Sequence, residues 1–258
     1  METIAATTSQ EKVGMLPAVS HPVLVLKFGG TSLGTIERIR AAAAQALQAQ
    51  RSGQKVVVVV SAMAGETDRL LALAKSLTPN PSPDELDVVA STGEQVSAGL
   101  FALAITSLGG KGLSLSASQL GIFTDDSFGE ARITNIDTSL IQQALADGTI
   151  PVITGFQGIT SQGRITTLGR GGSDTTAVAI AAALEATECA LCTDVEGVFS
   201  VDPRTNASSQ KLESIAADEM LLLAQAGSKV LHTRSVAIAR DHRVSLSVRS
   251  TFSNATGT

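Results

Sequence analysis

The stretch "VLVLKFGG", Val23 to Gly30, begins with four aliphatic residues and ends with two glycines. A continuous aliphatic run is typical of a strand that is buried on both faces, as strands of parallel sheets are. A second such run, "KVVVVV" at Lys55 to Val60, opens into the small-residue loop "SAMAG". Because a helical pattern follows each run, the chain begins with two successive strand–helix units. The sequence therefore predicts an α/β fold.

The rest of the chain continues this alternation. Further predicted strands are "GLSLSA", "TIPVITGF", "ECALCTDV" and "RVSLSVRS", and "FQGITSQGRITTLG" predicts a hairpin that turns at Ser161–Gly163. The predicted helices are "GTIERIRAAAAQALQAQ", "ETDRLLALAKSL", "LDVVASTGEQVSAGLFALAITSL", "NIDTSLIQQALADG", an alanine-rich helix after Gly172 and two stretches before the last strand. We expect a three-layer αβα sandwich with a mainly parallel central sheet, preceded by a flexible tail over residues 1–21.

Composition narrows the class of partner. Hydrophobic residues make up 43% of the chain and charged residues 17%, so a large aliphatic core is expected. The net charge of −5 argues against nucleic acid as the main partner, because phosphate backbones are bound by clustered Lys and Arg. We found no apolar run of bilayer length and no secretory signal, and we therefore expect no membrane contact and a cytoplasmic location.

The two cysteines, Cys189 and Cys192, form a C-x-x-C on a predicted strand. A zinc site needs a second ligand pair, and a redox motif needs a thioredoxin-like context. Neither is present, so the pattern predicts buried, reduced thiols and no protein-bound metal.

The stretch "TTLGRGGSDTTAVAIAAAL", Thr166 to Leu184, places glycines, an arginine and an acid at the start of a helix. A helix N-terminus with small residues is a natural anion site, and Arg170 adds a planar fork for a carboxylate or phosphate. Ser173 or Asp174 could simply cap the helix, and we expect capping to be part of their role. Capping, however, does not require Arg170.

Other polar residues stand at the ends of predicted strands. Lys27 lies inside an aliphatic strand just before two glycines whose backbone N–H groups could approach phosphate oxygens. Because ligands of such sheets bind beyond the carboxyl ends of the strands, we expect the three glycine-rich turns, Gly29–Gly30, Ser61–Gly65 and Gly169–Gly172, to converge. Glu94 lies in an apolar helix, where it is either a solvated residue or a partner for an ammonium group.

Two weaker signals lie in the C-terminal third. Thr193 and Asp194 end a predicted strand, where they could bind a ribose, a base or a metal-linked water, and an Asp-Pro turn follows. Lys229 and Arg234 flank a helix start, and taken alone they would be interpreted as surface charges.

Taken in order, eight blocks resemble the catalytic domain of the aspartate kinases, in the amino acid kinase family. The blocks are "KFGGTSLG", "VVVVVSAMAGETD", "TGEQVSAGL", "GFQGIT", "TTLGRGGSDTTAVAIAAAL", "CTDVEGVFSVDPR", "EMLLLAQAGSKVLHTRSV" and "VRSTF". This resemblance implies the amino acid kinase fold over residues 22–258, with an acceptor-binding lobe over about 22–168 and a nucleotide-binding lobe over about 169–258. It also implies ATP-dependent phosphorylation of the side-chain carboxylate of L-aspartate to 4-phospho-L-aspartate, towards lysine, threonine and methionine.

The resemblance also implies roles for individual residues. Lys27 would stabilise the transferring phosphoryl group and Asp174 would orient groups near it. The amino acid would be held by Ser61, Thr67, Glu94, Arg170 and Ser173. The nucleotide, ATP carrying Mg²⁺, would be held by Lys27, Gly29, Gly30, Thr193, Asp194, Phe199, Arg204 and Lys229.

The sequence departs from the pattern of this family in three places. Phe199 replaces the usual Tyr, and Cys192 stands where an aromatic residue is common beside the base. The chain stops where family members continue into paired regulatory ACT domains, so feedback inhibition within the chain is not expected. A natural short form and a catalytic fragment both fit this ending. Pairing of kinase domains in the family implies a homodimer or a larger homo-oligomer.

Two other functions stay open at this stage. The chain could phosphorylate a different acceptor, such as glutamate, N-acetylglutamate or UMP. It could also be a non-catalytic assembly or regulatory subunit, although the set of Lys27, Arg170, Asp174 and Lys229 argues against that.

Overall fold

A computed structural model describes residues 22–202, 206, 208–228, 230–253 and 255–258. Its central sheet has six parallel strands in the order β10-β9-β1-β2-β6-β3, and a smaller sheet has the order β5-β4-β7-β8. The strands are β1 (Val23–Phe28), β2 (Lys55–Val60), β3 (Gly112–Leu115), β4 (Ile122–Thr124), β5 (Ile133–Ile136), β6 (Ile150–Thr154), β7 (Gln157–Ile159), β8 (Ile165–Thr167), β9 (Glu188–Thr193) and β10 (Leu246–Ser250).

Helices cover both faces of the central sheet. They are α1 (Ile36–Arg51), α2 (Glu66–Leu77), α3 (Pro83–Ser107), α4 (Ala117–Leu120), α5 (Ser139–Ala146), α6 (Gly172–Ala183), α7 (Ala217–Gln225) and α8 (Thr233–His242). One core layer contains side chains of α1 and α3, and the other contains side chains of α5, α6, α7 and α8. This arrangement confirms the three-layer sandwich with a parallel central sheet.

The valine run explains how one strand supplies both core layers. Val57 and Val59 face one layer, and Val56, Val58 and Val60 face the other. All five are fully buried, as the uniform composition of the run predicts. Because β2 has neighbours on both edges and helices on both faces, it is a central strand of the domain.

Helix α3 is the longest helix of the domain, at 25 residues. By length and composition it could cross a membrane, with a mean hydropathy of 1.4 over its most apolar window, so the expectation of no such segment was wrong on that measure. Core helices pass the same test, and α3 packs against α1, α2, β3, β6 and β8. It also buries two acids, Asp87 and Glu94, and we interpret it as a core helix.

Two local predictions had different outcomes. The hairpin is confirmed, because β7 and β8 pair antiparallel around the predicted turn. The helix predicted from Asn135 begins only at Ser139, because residues 133–136 form β5 against β4. Asp137 separates this strand from the helix, since its Oδ1 accepts from the N–H of Ser139 at 2.9 Å. The predicted tail over residues 1–21 lies outside the described residues.

Cys189 and Cys192 are both free and buried, as predicted. They belong to opposite core layers, because three residues along a strand change the face. Burial raises the pKa of both thiols, that of Cys192 to about 11. Neither thiol is therefore a reactive group at neutral pH.

Candidate active site

A cleft of about 860 Å³ opens beyond the carboxyl ends of β1 and β2. All three glycine-rich turns reach it: Gly30 from the first, Ser61–Gly65 from the second and Gly169–Gly172 from the third. The close approach of these turns depends on missing side chains. A Cβ on Gly30 would lie 2.9 Å from the carbonyl oxygen of Ala62, which is shorter than a normal contact.

Lys27 and Asp174 form an ion pair in this cleft, with 2.7 Å between Nζ and Oδ1. Lys27 comes from the central strand β1, and Asp174 comes from the first turn of α6. Both side chains are largely buried, at 13% and 18% exposed, so the pair is poorly screened by water. The ion pair holds the ammonium group near the carboxyl end of β1. Gly29 lies beside it, because a Cβ added to this glycine would be 3.4 Å from Nζ.

The N-terminus of α6 is not capped in the expected way. Its N-cap is Gly171, in the left-handed conformation with φ of 70°, and no side chain caps the helix. Ser173 and Asp174 lie inside the first turn, so the prediction that they cap it was wrong. A Cβ on Gly171 would lie 2.4 Å from His232, so this tight packing excludes a capping side chain at that position. The helix start is left open towards the cleft, where its dipole favours an anion.

Glu94 is not a solvated residue, because it is only 3% exposed and lines the cleft. Its Oε1 accepts from the backbone N–H of Ala62 at 2.9 Å, whereas its Oε2 is buried without a hydrogen-bond partner among the described residues. Burial raises the pKa of Glu94 to about 7, and the Ala62 hydrogen bond and the charge of Lys27 partly oppose that shift. A buried carboxylate oxygen without a donor is a costly arrangement that a ligand can relieve.

Gly93 explains how Glu94 reaches this position. A Cβ on Gly93 would lie 2.8 Å from the Cβ of Ala62, so only glycine lets α3 approach the loop after β2 so closely. The next residue can then place its carboxylate on the Ala62 N–H. The glycine inside an otherwise regular helix is therefore a packing requirement.

The predicted acceptor and catalytic residues all line this one cleft. Arg170 is exposed within it and makes no ion pair with any residue that the structure describes. Its guanidinium group is therefore available to a ligand. The complete set from the sequence is Lys27, Ser61, Thr67, Glu94, Arg170, Ser173 and Asp174.

The predicted nucleotide-binding residues are less closely grouped. Thr193 is the last residue of β9, the strand beside β1, and Asp194 and Phe199 follow it, but none of the three lines the cleft. The N–H of Gly29 bonds to the carbonyl of Cys192 at 3.3 Å, which joins the first glycine turn to the end of β9. Arg204 and Lys229 lie outside the described residues.

Several cleft residues were missed by sequence reasoning or given another role. Arg234, interpreted as a surface charge, lines the cleft and donates through Nη1 to the carbonyls of Ala131 and Leu168. Asp87 and His232 also line it. Asp87 lies seven residues before Glu94, two helical turns away, and that spacing could have indicated a shared face. No sequence signal indicated His232.

The described residues offer no evident binding site for a metal ion. Within the residues that the structure describes, no group of three or more His, Cys, Asp or Glu side chains could hold a metal ion. Mg²⁺ commonly binds through one or two carboxylates together with substrate phosphates. The residues present therefore fit a metal ion that arrives with its phosphate ligand better than a resident one.

The fold and the cleft define an α/β protein in which Lys27, Arg170 and the uncapped start of α6 lie in one cleft, an arrangement that suits anionic ligands. Comparison with known proteins identifies it further, because the sequence model of the amino acid kinase family matches residues 22–250. The chain belongs to the amino acid kinase family.

Individual relatives narrow the comparison. The aspartokinase of Geobacillus stearothermophilus is 51% identical over 236 residues, which are 92% of this chain and 58% of that protein. A crystal structure of aspartate kinase from Synechocystis superposes with a TM-score of 0.81 at 43% identity, over 91% of this chain and 39% of that one. Aspartokinase III of E. coli, in complex with aspartate and ADP, gives 0.84 at 27% identity, over 92% and 64%. The chain thus spans a little over half the length of the curated relative.

Proposed function

We propose that this chain catalyses ATP-dependent phosphorylation of the side-chain carboxylate of L-aspartate to 4-phospho-L-aspartate. The observation that carries the proposal is Glu94, whose buried Oε2 has no partner within the described part of the chain, in a cleft that Arg170 also lines. One negative and one positive group suit the ammonium and a carboxylate of a free amino acid. The aspartokinase relatives and the E. coli structure with bound aspartate and ADP agree with that acceptor.

The acceptor would be held between α3 and the start of α6. Glu94 would bind the ammonium group, and Arg170 would bind a carboxylate through its planar fork. Ser61, Thr67 and Ser173 would supply hydroxyl groups around the same molecule. Since Ser173 lies in the first turn of the uncapped helix, the dipole of α6 would add attraction for an anion there.

The chemistry needs charge stabilisation more than it needs a base. A carboxylate has a pKa of about 4, so the attacking group is already ionised at neutral pH. The obstacle is the repulsion between two anions. Lys27 would offset it at the transferring phosphoryl group, and Asp174 would hold the ammonium of Lys27 in place.

ATP would lie on the β1–β9 side of the cleft. Gly29 and Gly30 would bring backbone N–H groups to its phosphates, and Thr193, Asp194 and Phe199 would contact the rest of the nucleotide. Arg204 and Lys229 belong to the same proposal. Mg²⁺ would be carried by the phosphates, where it neutralises charge when bound. We assign acceptor binding mainly to the lobe of residues 22–168 and nucleotide binding mainly to that of residues 169–258.

The proposed cellular role is inferred from the proteins that this chain resembles. We propose a cytoplasmic enzyme of amino-acid biosynthesis, on the route to lysine, threonine and methionine, that works as a homodimer or a larger homo-oligomer. Relatives from Geobacillus stearothermophilus and Bacillus subtilis are named aspartokinases, which supports the role in amino-acid biosynthesis.

A panel of acceptors tests the proposal. ADP release is measured for the purified chain with L-aspartate, L-glutamate, N-acetyl-L-glutamate and UMP, and N-acetyl-L-aspartate serves as the matched control with a blocked amine. We expect turnover with L-aspartate and almost none with its N-acetyl form, because an amide cannot replace an ammonium at Glu94. Turnover with a different acceptor and none with aspartate would overturn the assignment.

The alternative of a non-catalytic assembly or regulatory subunit makes a separate prediction. Such a subunit would show no heat of Mg-ATP binding by titration calorimetry. The intact pair of Lys27 and Asp174 favours the enzyme, because a buried ion pair costs desolvation and has no evident structural use at the mouth of the sheet.

A further inference from the structure

Two backbone segments meet beside the third glycine turn, and we call their meeting point the crossing. The loop Gly129–Ala131 meets the end of the hairpin, Thr167–Leu168, and the N–H of Ala131 donates to the carbonyl of Thr167 at 2.9 Å. The second segment continues directly into Gly169–Gly172, the turn that presents Arg170. The position of the crossing therefore determines where that turn begins.

Asp87 binds this crossing from the side of α3. Its Oδ2 accepts from the N–H groups of Thr167 at 2.7 Å and of Gly129 at 2.9 Å, and its Oδ1 accepts from the hydroxyl of Thr167 at 2.7 Å. The side chain is 3% exposed, so these bonds are made away from water. Charge-assisted bonds of this kind are about twice as strong as neutral ones.

Arg234 binds the same crossing from the opposite lobe. Its Nη1 donates to the carbonyls of Leu168 at 2.8 Å and of Ala131 at 3.2 Å. Among the residues that the structure describes, neither Arg234 nor Asp87 takes part in an ion pair. Both charged side chains bind backbone groups. Asp87 accepts from N–H groups, and Arg234 donates to carbonyls.

The third turn has little freedom once the crossing is fixed. Gly169 has φ of 73°, and a Cβ there would lie 3.0 Å from the carbonyl oxygen of Gly129. The turn therefore packs directly on the loop that Asp87 binds. Arg170 and Ser173, proposed to hold the acceptor, follow within four residues.

We propose that Asp87 and Arg234 are positioning residues that clamp the crossing and so set the affinity for the acceptor. Neither needs to touch the acceptor, because both act through the 169–172 turn. The identity of the acceptor as aspartate rests on the function proposed above. The clamp itself rests on the hydrogen bonds, and it joins α8 of one lobe to the loop and hairpin of the other.

The test uses Arg234→Met, Arg234→Lys and Asp87→Asn, with Arg240→Met as the control on the same helix. Arg240 pairs with the exposed Asp218 and Asp241 and, unlike Arg234, does not line the cleft. We expect Arg234→Met and Asp87→Asn to raise the KM for aspartate by roughly tenfold or more, with the KM for Mg-ATP changed by less than about twofold. Arg234→Lys retains one donor and should recover part of the loss.

A second readout does not depend on turnover. Hydrogen–deuterium exchange of peptides covering residues 165–172 should become faster in Arg234→Met and Asp87→Asn and stay unchanged in Arg240→Met. Unchanged exchange there would overturn the clamp. So would an equal rise in both KM values, or a loss confined to Mg-ADP affinity, which would make Arg234 a nucleotide-binding residue.

The two proposals can fail separately. If the unaltered protein does not phosphorylate aspartate, the proposed function fails, whereas the exchange comparison still decides the clamp. If aspartate is phosphorylated and the variants behave like Arg240→Met in both readouts, the clamp fails alone.

Discussion

Asp87 and Glu94 are two buried acids on one helix, two turns apart, and both line the same cleft. Asp87 accepts three hydrogen bonds from the protein, so both of its oxygens are satisfied. The Oε1 of Glu94 accepts from the backbone N–H of Ala62, and no described residue donates to its Oε2. The difference lies in how many donors the fold supplies to each.

This contrast separates a group that organises the protein from a group that awaits a ligand. A buried carboxylate with all its bonds made stabilises the segments that supply the donors. One with an unpaired oxygen costs free energy until a donor arrives. Burial and position on the helix are alike for the two acids, so the inventory of hydrogen-bond donors is what distinguishes their roles.

The largest expected effect comes from substitution of Lys27, whose charge lowers the pKa of Glu94. Lys27→Ala should lower turnover about a thousandfold, as loss of one stabilising group at a transition state does. The KM for aspartate should change far less. Steady-state kinetics measure both quantities, with the exposed Lys75→Ala as the control. A loss that appears mainly in KM would place Lys27 on the acceptor rather than on the phosphoryl group.

The pH dependence of stability tests the raised pKa of Glu94. Burial raises the pKa of Glu94 from its ordinary value of 4.5 to about 7, so the folded state holds the proton more tightly than the unfolded chain does. The free energy of unfolding of the ligand-free protein should therefore fall as pH rises from about 4.5 to about 7, by at most about 3 kcal/mol, and level off above that.

Urea unfolding at a series of pH values measures this slope. Glu94→Gln should reduce it because the variant has no proton to release. A slope that is the same in Glu94→Gln and in the unaltered protein would assign the pH dependence to other groups.

Acceptor affinity gives the next effect in size. Glu94→Gln keeps the shape of the side chain and can still accept from Ala62, but it loses the charge that would face an ammonium. We expect the KM for aspartate at pH 8 to rise by a factor that corresponds to about 2 kcal/mol, with a smaller change in turnover. Below pH 7 the gap between variant and parent should narrow, because Glu94 is then protonated. A constant gap across this range would contradict the role of its charge.

The smallest effect compares two glycines of α3. Gly93→Ala places a Cβ 2.8 Å from that of Ala62, whereas the added Cβ of Gly99→Ala meets nothing within 4 Å. Helix propensity favours alanine by up to about 1 kcal/mol at both positions, and the clash at residue 93 costs about 1–3 kcal/mol. Gly93→Ala should be destabilised by about 1 kcal/mol net and Gly99→Ala stabilised. Thermal unfolding measures both, and equal shifts would mean that the approach to Ala62 is not tight.

Sequence reasoning predicted well what periodicity and composition control. The valine run and the strand–helix alternation identified the parallel sheet, and the glycine turns identified the ligand edge. The role of single polar side chains was less accessible. From the sequence, Arg234 was interpreted as a surface charge, because its partners, the carbonyls of Ala131 and Leu168, are more than 60 residues away in the chain. The uncapped start of α6 was missed because it depends on contact between Gly171 and His232.

The strand order has a consequence for synthesis of the protein. Among the strands that the structure describes, β1 is made first, yet in the finished sheet it lies between β2 and β9. One edge of the nascent sheet therefore waits, with its N–H and carbonyl groups unpaired, until about 160 more residues have been added. Such an edge can recruit other chains, so incomplete chains should depend on chaperones more than the finished domain does.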